Sequence, residues 1–215
     1  MKIAICTPYY ANVTAEYARC LALLTAWTVS EANFVFNGTP AKPEIQVFMR
    51  RCTLLPRARN QLAKDAIDWN ANYLLWIDGD HSFPRQSLFR LLSLNLPVVG
   101  ANYPIRANPT APCATALSGG ALATTEKLAL AGAVEEVAHL GLGFCLVDIR
   151  VIRALRNGKP LFQNLLWGEG TDESIGEDVH FFRRVREAGF KVHVDHGLSW
   201  DIRHYHQTAL SNADI

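Results

Sequence analysis

Asp78-Gly79-Asp80 closes the apolar stretch 73–78 (YLLWID), and two carboxylates at i and i+2 after an extended run point to the same side of the chain. The glycine between them leaves room for a ligand to approach the backbone. Hard oxygen donors so placed suit Mg²⁺ or Mn²⁺, which use one or two carboxylates plus substrate phosphates in place of a full protein cage. An Asp-Gly turn is the ordinary alternative; the buried-strand context before the pair weights the reading toward metal.

Glu177-Asp178 opens a run in which Val179, Phe182 and Val185 share a helical face, with Gly189 in the position past a helix C-terminus. Acids at a helix start also answer the macrodipole. At a mouth already holding metal and phosphate, however, the same carboxylates are placed to take a proton. Five of the seven histidines (His180, His193, His196, His204, His206) fall late in the chain, which raises zinc. Their spacing matches none of the closed zinc patterns, and one histidine joining the aspartates on a divalent ion is more economical. Arg57 and Arg59 in the run 56–60 (PRARN) set two guanidinium groups at a helix start, a grip for an anion or a nucleobase, although exposed arginines are more often only solvated.

The elements that must position these residues alternate. Residues 2–7 (KIAICT) read as a strand, 13–29 as a helix, 33–37 and 44–50 as strands, and Pro56 starts a helix carrying Ala58, Leu62, Ala66 and Trp69 on its apolar face. The run 73–78 reads as a buried parallel strand, 84–94 as a helix and 96–101 as a strand. Residues 107–133 read as a loop with one short helix, 135–139 and 144–149 as strands, and 158–176 as a second long loop. Such βαβ alternation predicts an α/β fold with a mainly parallel sheet, whose ligands gather beyond the carboxyl ends of the strands, where Asp78 and Asp80 fall.

Composition excludes several classes. The 215 residues suit one domain with a full core, and 49% hydrophobic with 19% charged residues lies outside the disordered range. A net charge of +1 lacks the field of a general nucleic-acid binder. The apolar run 20–27 is far short of a membrane span. Five irregularly spaced cysteines (Cys6, Cys20, Cys52, Cys113, Cys145) suggest neither disulfides nor a CxxC metal pair, so a cytoplasmic protein is expected.

Taken in order, these elements resemble a small GT-A glycosyltransferase related to glycosyltransferase family 2. The resemblance rests on the first strand ending in Thr7-Pro8, the Arg59-Asn60 helix, the DxD of YLLWIDGD, 100–106 (GANYPIR), 141–146 (GLGFCL), 176–179 (GEDV) with Phe182 and Arg183, 187–190 (EAGF), and the stretch 195–204. It spans nearly the whole chain. It implies a Rossmann-like sheet flanked by helices, with a nucleotide-sugar half at about 1–106 fused to an acceptor and catalytic half at about 134–215. It implies transfer of a sugar from a UDP- or GDP-linked donor, with inversion, assisted by Mn²⁺ or Mg²⁺. By the same resemblance Asp80 binds metal directly, while Asp78 meets the ribose or a metal-bound water. Thr7, Pro8, Arg59, Asn60 and Arg106 lie on the donor side, Asp178 is the base with Glu177 supporting the acceptor, and His204 completes the metal shell. Related sequences place a glycine two residues after that histidine where this chain has His206, so His204 and His206 both stay open. Gly143, Trp167 and Trp200 are the acceptor-side candidates, the tryptophans as stacking surfaces.

Two other functions compete. An apolar strand running into DxD also resembles the nucleophile motif of haloacid-dehalogenase-type phosphatases, with Asp78 as nucleophile, although that motif normally lies near the start of a chain. A sugar- or nucleotide-binding module without turnover is the other; intact acids at both motifs argue against it.

Overall fold

The computed structural model describes every residue except 32, 33, 37, 107–109, 167–173 and 206–215. Strand β1 (Lys2–Tyr9) is buried along its centre, and helix α1 (Ala15–Ser30) starts where the Thr14 hydroxyl accepts the Tyr17 N–H at 3.1 Å. A hairpin of β2 (Phe34–Phe36) and β3 (Thr39–Ala41) leads to β4 (Glu44–Arg51), then α2 (Leu55–Asp68), with Pro56 in its first turn. Next come β5 (Tyr73–Ile77), β6 (His81–Ser82), α3 (Ser87–Ser93) and β7 (Val98–Gly100). The expected helix over 84–94 starts only at Ser87, because its N–H and its hydroxyl both donate to the Pro84 carbonyl and close a turn first.

The stretch expected as a loop with one helix contains β8 (Thr115–Ala116) and α4 (Glu126–Leu130). It is followed by β9 (Val134–His139), β10 (Phe144–Asp148) and α5 (Ile149–Leu155), a helix capped by the Asp148 carboxylate. A short hairpin, β11 (Leu165–Leu166) with β12 (Ser174–Ile175), precedes α6 (Glu177–Glu187), β13 (Val192–Asp195), α7 (His196–Asp201) and β14 (Arg203–His204). Gly189 adopts φ +84° just past α6, the left-handed conformation its position predicts.

The central sheet runs β4-β1-β5-β10-β7-β13-β9-β8. Pairs β4/β1, β1/β5 and β7/β13 are parallel; β10 is antiparallel to both its neighbours, and β9 to both of its own. Only β10 and β9 therefore oppose the common direction, so the sheet is mainly parallel by strand direction although many of its contacts are antiparallel. Both faces are apolar: Ala4, Cys6, Leu74 and Trp76 face one core with Leu62, Phe162 and Phe181, while Ile3, Ile5, Leu75 and Ile77 face the other with Tyr17, Leu24 and Leu88. Burial on both faces is why 73–77 carries no alternation.

The carboxyl ends of β5 and β7 meet the start of β10. Asp78 N–H donates to the Gly143 carbonyl at 3.0 Å and Ala101 N–H to that of Phe144 at 3.0 Å. The late part of the chain is anchored by Asp195, which is fully buried. Its Oδ1 caps α7 through Leu198 N–H at 3.0 Å and takes the Arg90 guanidinium at 2.7 Å. This clamp sets where β14 emerges. Asp195→Ala should lower stability by about 2–3 kcal/mol in urea denaturation, the cap and a charged hydrogen bond together; a loss under about 0.5 kcal/mol would show that the clamp contributes little.

Candidate functional site

Beyond β5 the chain turns through Asp78, Gly79 and Asp80 into β6, and β14 pairs antiparallel with β6, His204 opposite His81. Tyr205 N–H extends this contact to the Asp80 carbonyl at 2.9 Å. The two imidazoles stack with centroids 4.5 Å apart and planes 11° from parallel, and Tyr103 meets His81 edge-on at 4.5 Å. His81 Nδ1 lies 3.0 Å from Asp80 Oδ1, and His204 Nε2 lies 3.7 Å from the same oxygen. His204 Nδ1 faces the Pro104 carbonyl at 2.8 Å and donates to it as the neutral tautomer, which leaves the Nε2 lone pair toward Asp80. Asp80, His81 and His204 are the group among the described residues able to hold a metal ion.

Burial sets the charge of this group. His81 is wholly buried, and desolvation pushes its pKa down to about 4 against the pull of Asp78. Its Nε2 has no hydrogen-bond partner among the described residues. Desolvation also lowers His204, so both rings are neutral near pH 7, the form a metal requires.

The other pole is the start of α6. Arg59 on α2 has a side chain only 3% exposed and reaches in two directions, Nη2 to Asp78 Oδ1 at 3.4 Å and Nε to Glu177 Oε1 at 3.3 Å. Burial raises the Glu177 carboxyl above its ordinary value, with Arg59 opposing. Asp178, half-buried like Glu177, accepts its neighbour's N–H from Val179 at 2.7 Å. A cleft of about 970 Å³ opens over the motif, lined among others by Pro8, Tyr9, Thr53, Asp78, Asp80 and Arg106, a volume at the upper end for small-ligand sites. Arg106 Nη2 pairs with Asp80 Oδ2.

The structure thus gathers Pro8, Asp78, Asp80 and Arg106 at one cleft, sets His204 behind Asp80, and places Glu177 one arginine away. Other expected residues go elsewhere. The Thr7 hydroxyl is buried and shared with Tyr17 Oη at 2.5 Å. Asn60 spends its whole amide on the chain: Nδ2 donates to Pro56 and Phe162 carbonyls, and Oδ1 accepts from Leu161 and Phe162 N–H. Arg59 faces two carboxylates and is not among the residues lining the cleft. Gly143 lies beneath the motif, where a Cβ would come within 2.5 Å of Tyr103 Oη and 2.7 Å of His81 Cε1. At Gly79 the near neighbour is Val13, whose Cγ1 would lie 2.7 Å from a Cβ. Trp200 is 45% exposed on α7. Trp167 and His206 lie outside the described residues.

Histidines expected as a possible zinc set disperse to α6 (His180), β13 (His193) and the start of α7 (His196), where His196 sits between Thr124 and Glu135. The residues missed from sequence are His81 and Tyr103. Their signal was available: His81 directly follows Asp80, and Tyr103 stands in the 100–106 stretch.

No family model matches the chain, and no curated protein matches it. Among solved structures it is similar to A197 from STIV, at TM-score 0.59 and 15% identity over 96% of this chain and 87% of that one. It is likewise similar to GalNAc-T7 with UDP, GalNAc and Mn²⁺, at TM-score 0.59 and 12% identity over 96% of this chain but only 43% of that one. At identities this low the likeness shows the fold alone, an α/β fold of the GT-A type. No helix among the described residues is long and apolar enough to cross a membrane.

His81 makes stability depend on pH. The unfolded imidazole takes a proton below about 6.5 and the folded one only below about 4, so the unfolded state binds more protons between these values and stability falls as pH drops through them. The loss should total on the order of 3 kcal/mol in metal-free protein. Denaturation at successive pH values should show a shallower slope, by about one proton, for His81→Asn; an equal slope would mean that His81 is protonated normally.

Proposed function

We propose that the protein is a metal-dependent glycosyltransferase that moves a sugar from a UDP- or GDP-linked donor to an acceptor hydroxyl or amine, with inversion at the anomeric carbon. The observation that carries this reading is the neutral His81/His204 pair facing one oxygen of Asp80 under the cleft of a GT-A fold. One carboxylate with two imidazoles suits Mn²⁺ better than Mg²⁺, which prefers an all-oxygen shell. A divalent ion held there supplies Lewis acidity against the charge that builds on the departing diphosphate.

The chain's own residues do the rest. Asp78, on the rim of the cleft and steadied by Arg59, is placed for the donor ribose, and the Arg106 guanidinium for the diphosphate. At the other pole Glu177 is pinned by Arg59, whereas Asp178 carries no such partner among the described residues. Asp178 is therefore the general base: it takes the acceptor proton as the acceptor atom bonds to the anomeric carbon and the bond to the diphosphate breaks. Glu177 orients the acceptor, with Gly143, Trp167 and Trp200 as the acceptor-side candidates. The GT-A fold favours transfer over the phosphatase alternative with Asp78 as nucleophile, and the intact acids favour turnover over a binding-only module.

Calorimetry tests the metal assignment: Asp80→Ala should abolish Mn²⁺-dependent binding of UDP or GDP while circular dichroism stays native, and an unchanged affinity would return the motif to a turn. Asp178→Asn should keep donor binding and lower transfer at least ~10²-fold, the usual scale for a positioned base. Wild-type turnover in that variant would move the base elsewhere.

A further inference from the structure

We propose that Arg106 is the resident counter-ion of the Asp80 site, which a divalent cation must displace and which then passes to the donor diphosphate; this rests on the metal-dependent reading above. The two oxygens of Asp80 face different partners. Oδ1 looks toward His81 Nδ1 and His204 Nε2, while Oδ2 is taken by Arg106 Nη2, which also donates to the Tyr205 carbonyl at 3.1 Å. A divalent ion held by Oδ1 and the imidazoles would share one carboxylate with this guanidinium. Charges of the same sign at such separation, in a partly enclosed cleft, repel strongly.

Arg106 is the one cationic side chain among the described residues that line the cleft, against the acids Glu16, Asp78 and Asp80. It is also free to leave. Its side chain is 44% exposed, whereas Arg59 is locked between two carboxylates. Its backbone need not follow: Ile105 N–H donates to the Ala111 carbonyl at 2.8 Å, and Pro104 bridges Pro112. Rotation about the side chain alone carries the guanidinium off Asp80 into the cleft, where a diphosphate offers oxygens for paired charged hydrogen bonds. Metal alone must expel a cation into water, while metal with nucleoside diphosphate gives that cation a new partner. The two ligands therefore bind with positive, reciprocal coupling, and the site paired with Arg106 disfavours a cation that arrives without its donor.

Opposite changes in two affinities test this. By calorimetry on the full chain, Arg106→Ala should bind Mn²⁺ alone about two- to fivefold more tightly than wild type, the range for losing one partly exposed competing charge. At saturating Mn²⁺ the same variant should bind UDP or GDP about tenfold more weakly, and Arg106→Lys, which keeps the charge but not the paired donors, should match wild type for Mn²⁺ alone and fall between the two for nucleotide. Unchanged or weaker Mn²⁺ binding by Arg106→Ala would overturn the counter-ion role, and unchanged nucleotide affinity would overturn the transfer to diphosphate. If wild type itself binds no Mn²⁺ with or without nucleotide, the metal-dependent reading fails first and this proposal with it; a failure confined to Arg106→Ala leaves that reading standing.

Discussion

The buried guanidinium of Arg59 is the interaction on which the site depends. A cation removed from water costs several kcal/mol unless opposite charges and hydrogen bonds replace the lost solvation. Here the opposite charges come from two elements far apart in sequence, Asp78 after β5 and Glu177 at the start of α6, with the Trp76 ring 5.8 Å from the guanidinium carbon. Nη2 donates to Asp78, whereas Nε and Nη1 have no hydrogen-bond partner among the described residues, so the two ion pairs carry most of the compensation and three elements must hold their places for this one charge to be balanced. The linkage also ties Glu177 at the start of α6 to Asp78 at the cleft through one cation, while Arg106 pairs with Asp80 on the cleft side.

A second constraint brings the late part of the chain back onto the motif. Asp195 caps α7 and holds Arg90, Ser199 ties α7 to Asn102, and β14 follows with only two residues in its ladder. So short a ladder would not persist alone. It is kept by the stacked imidazoles, the Pro104 carbonyl on His204 and the Tyr205 contact with Asp80. The glycines beneath it serve packing: Gly143 lets Tyr103 and His81 lie directly against the β10 entry, which fixes the imidazole plane facing Asp80.

Much of this architecture was legible from local pattern. Doubly buried strands leave continuous apolar runs, and 2–7, 73–78 and 144–149 showed them because both faces of the sheet meet helices. Helices α1, α2 and α6 were visible through their apolar faces and terminal residues, and the carboxylates of the DxD and of Glu177-Asp178 stood out because their type and position at element ends need no partner to be recognised. Elements of four to seven residues, α5, α7 and β13, carried too little periodicity to read; caps such as Asp148 and Asp195 and contacts with the rest of the fold define them.

Pairing was beyond any local signal, because it depends on which faces the sheet brings together. The residue types of the motif and the α/β alternation follow from the sequence by itself, since strand and helix periods are properties of neighbouring residues. That Asn60 spends its amide on the 161–162 backbone, that Thr7 turns into the core, and that His81, not the more numerous late histidines, stacks with His204 beside Asp80 was decided only by tertiary structure. Each of these outcomes rests on a contact across many residues of chain, where burial and the need to satisfy polar groups choose one partner among several chemically equivalent ones.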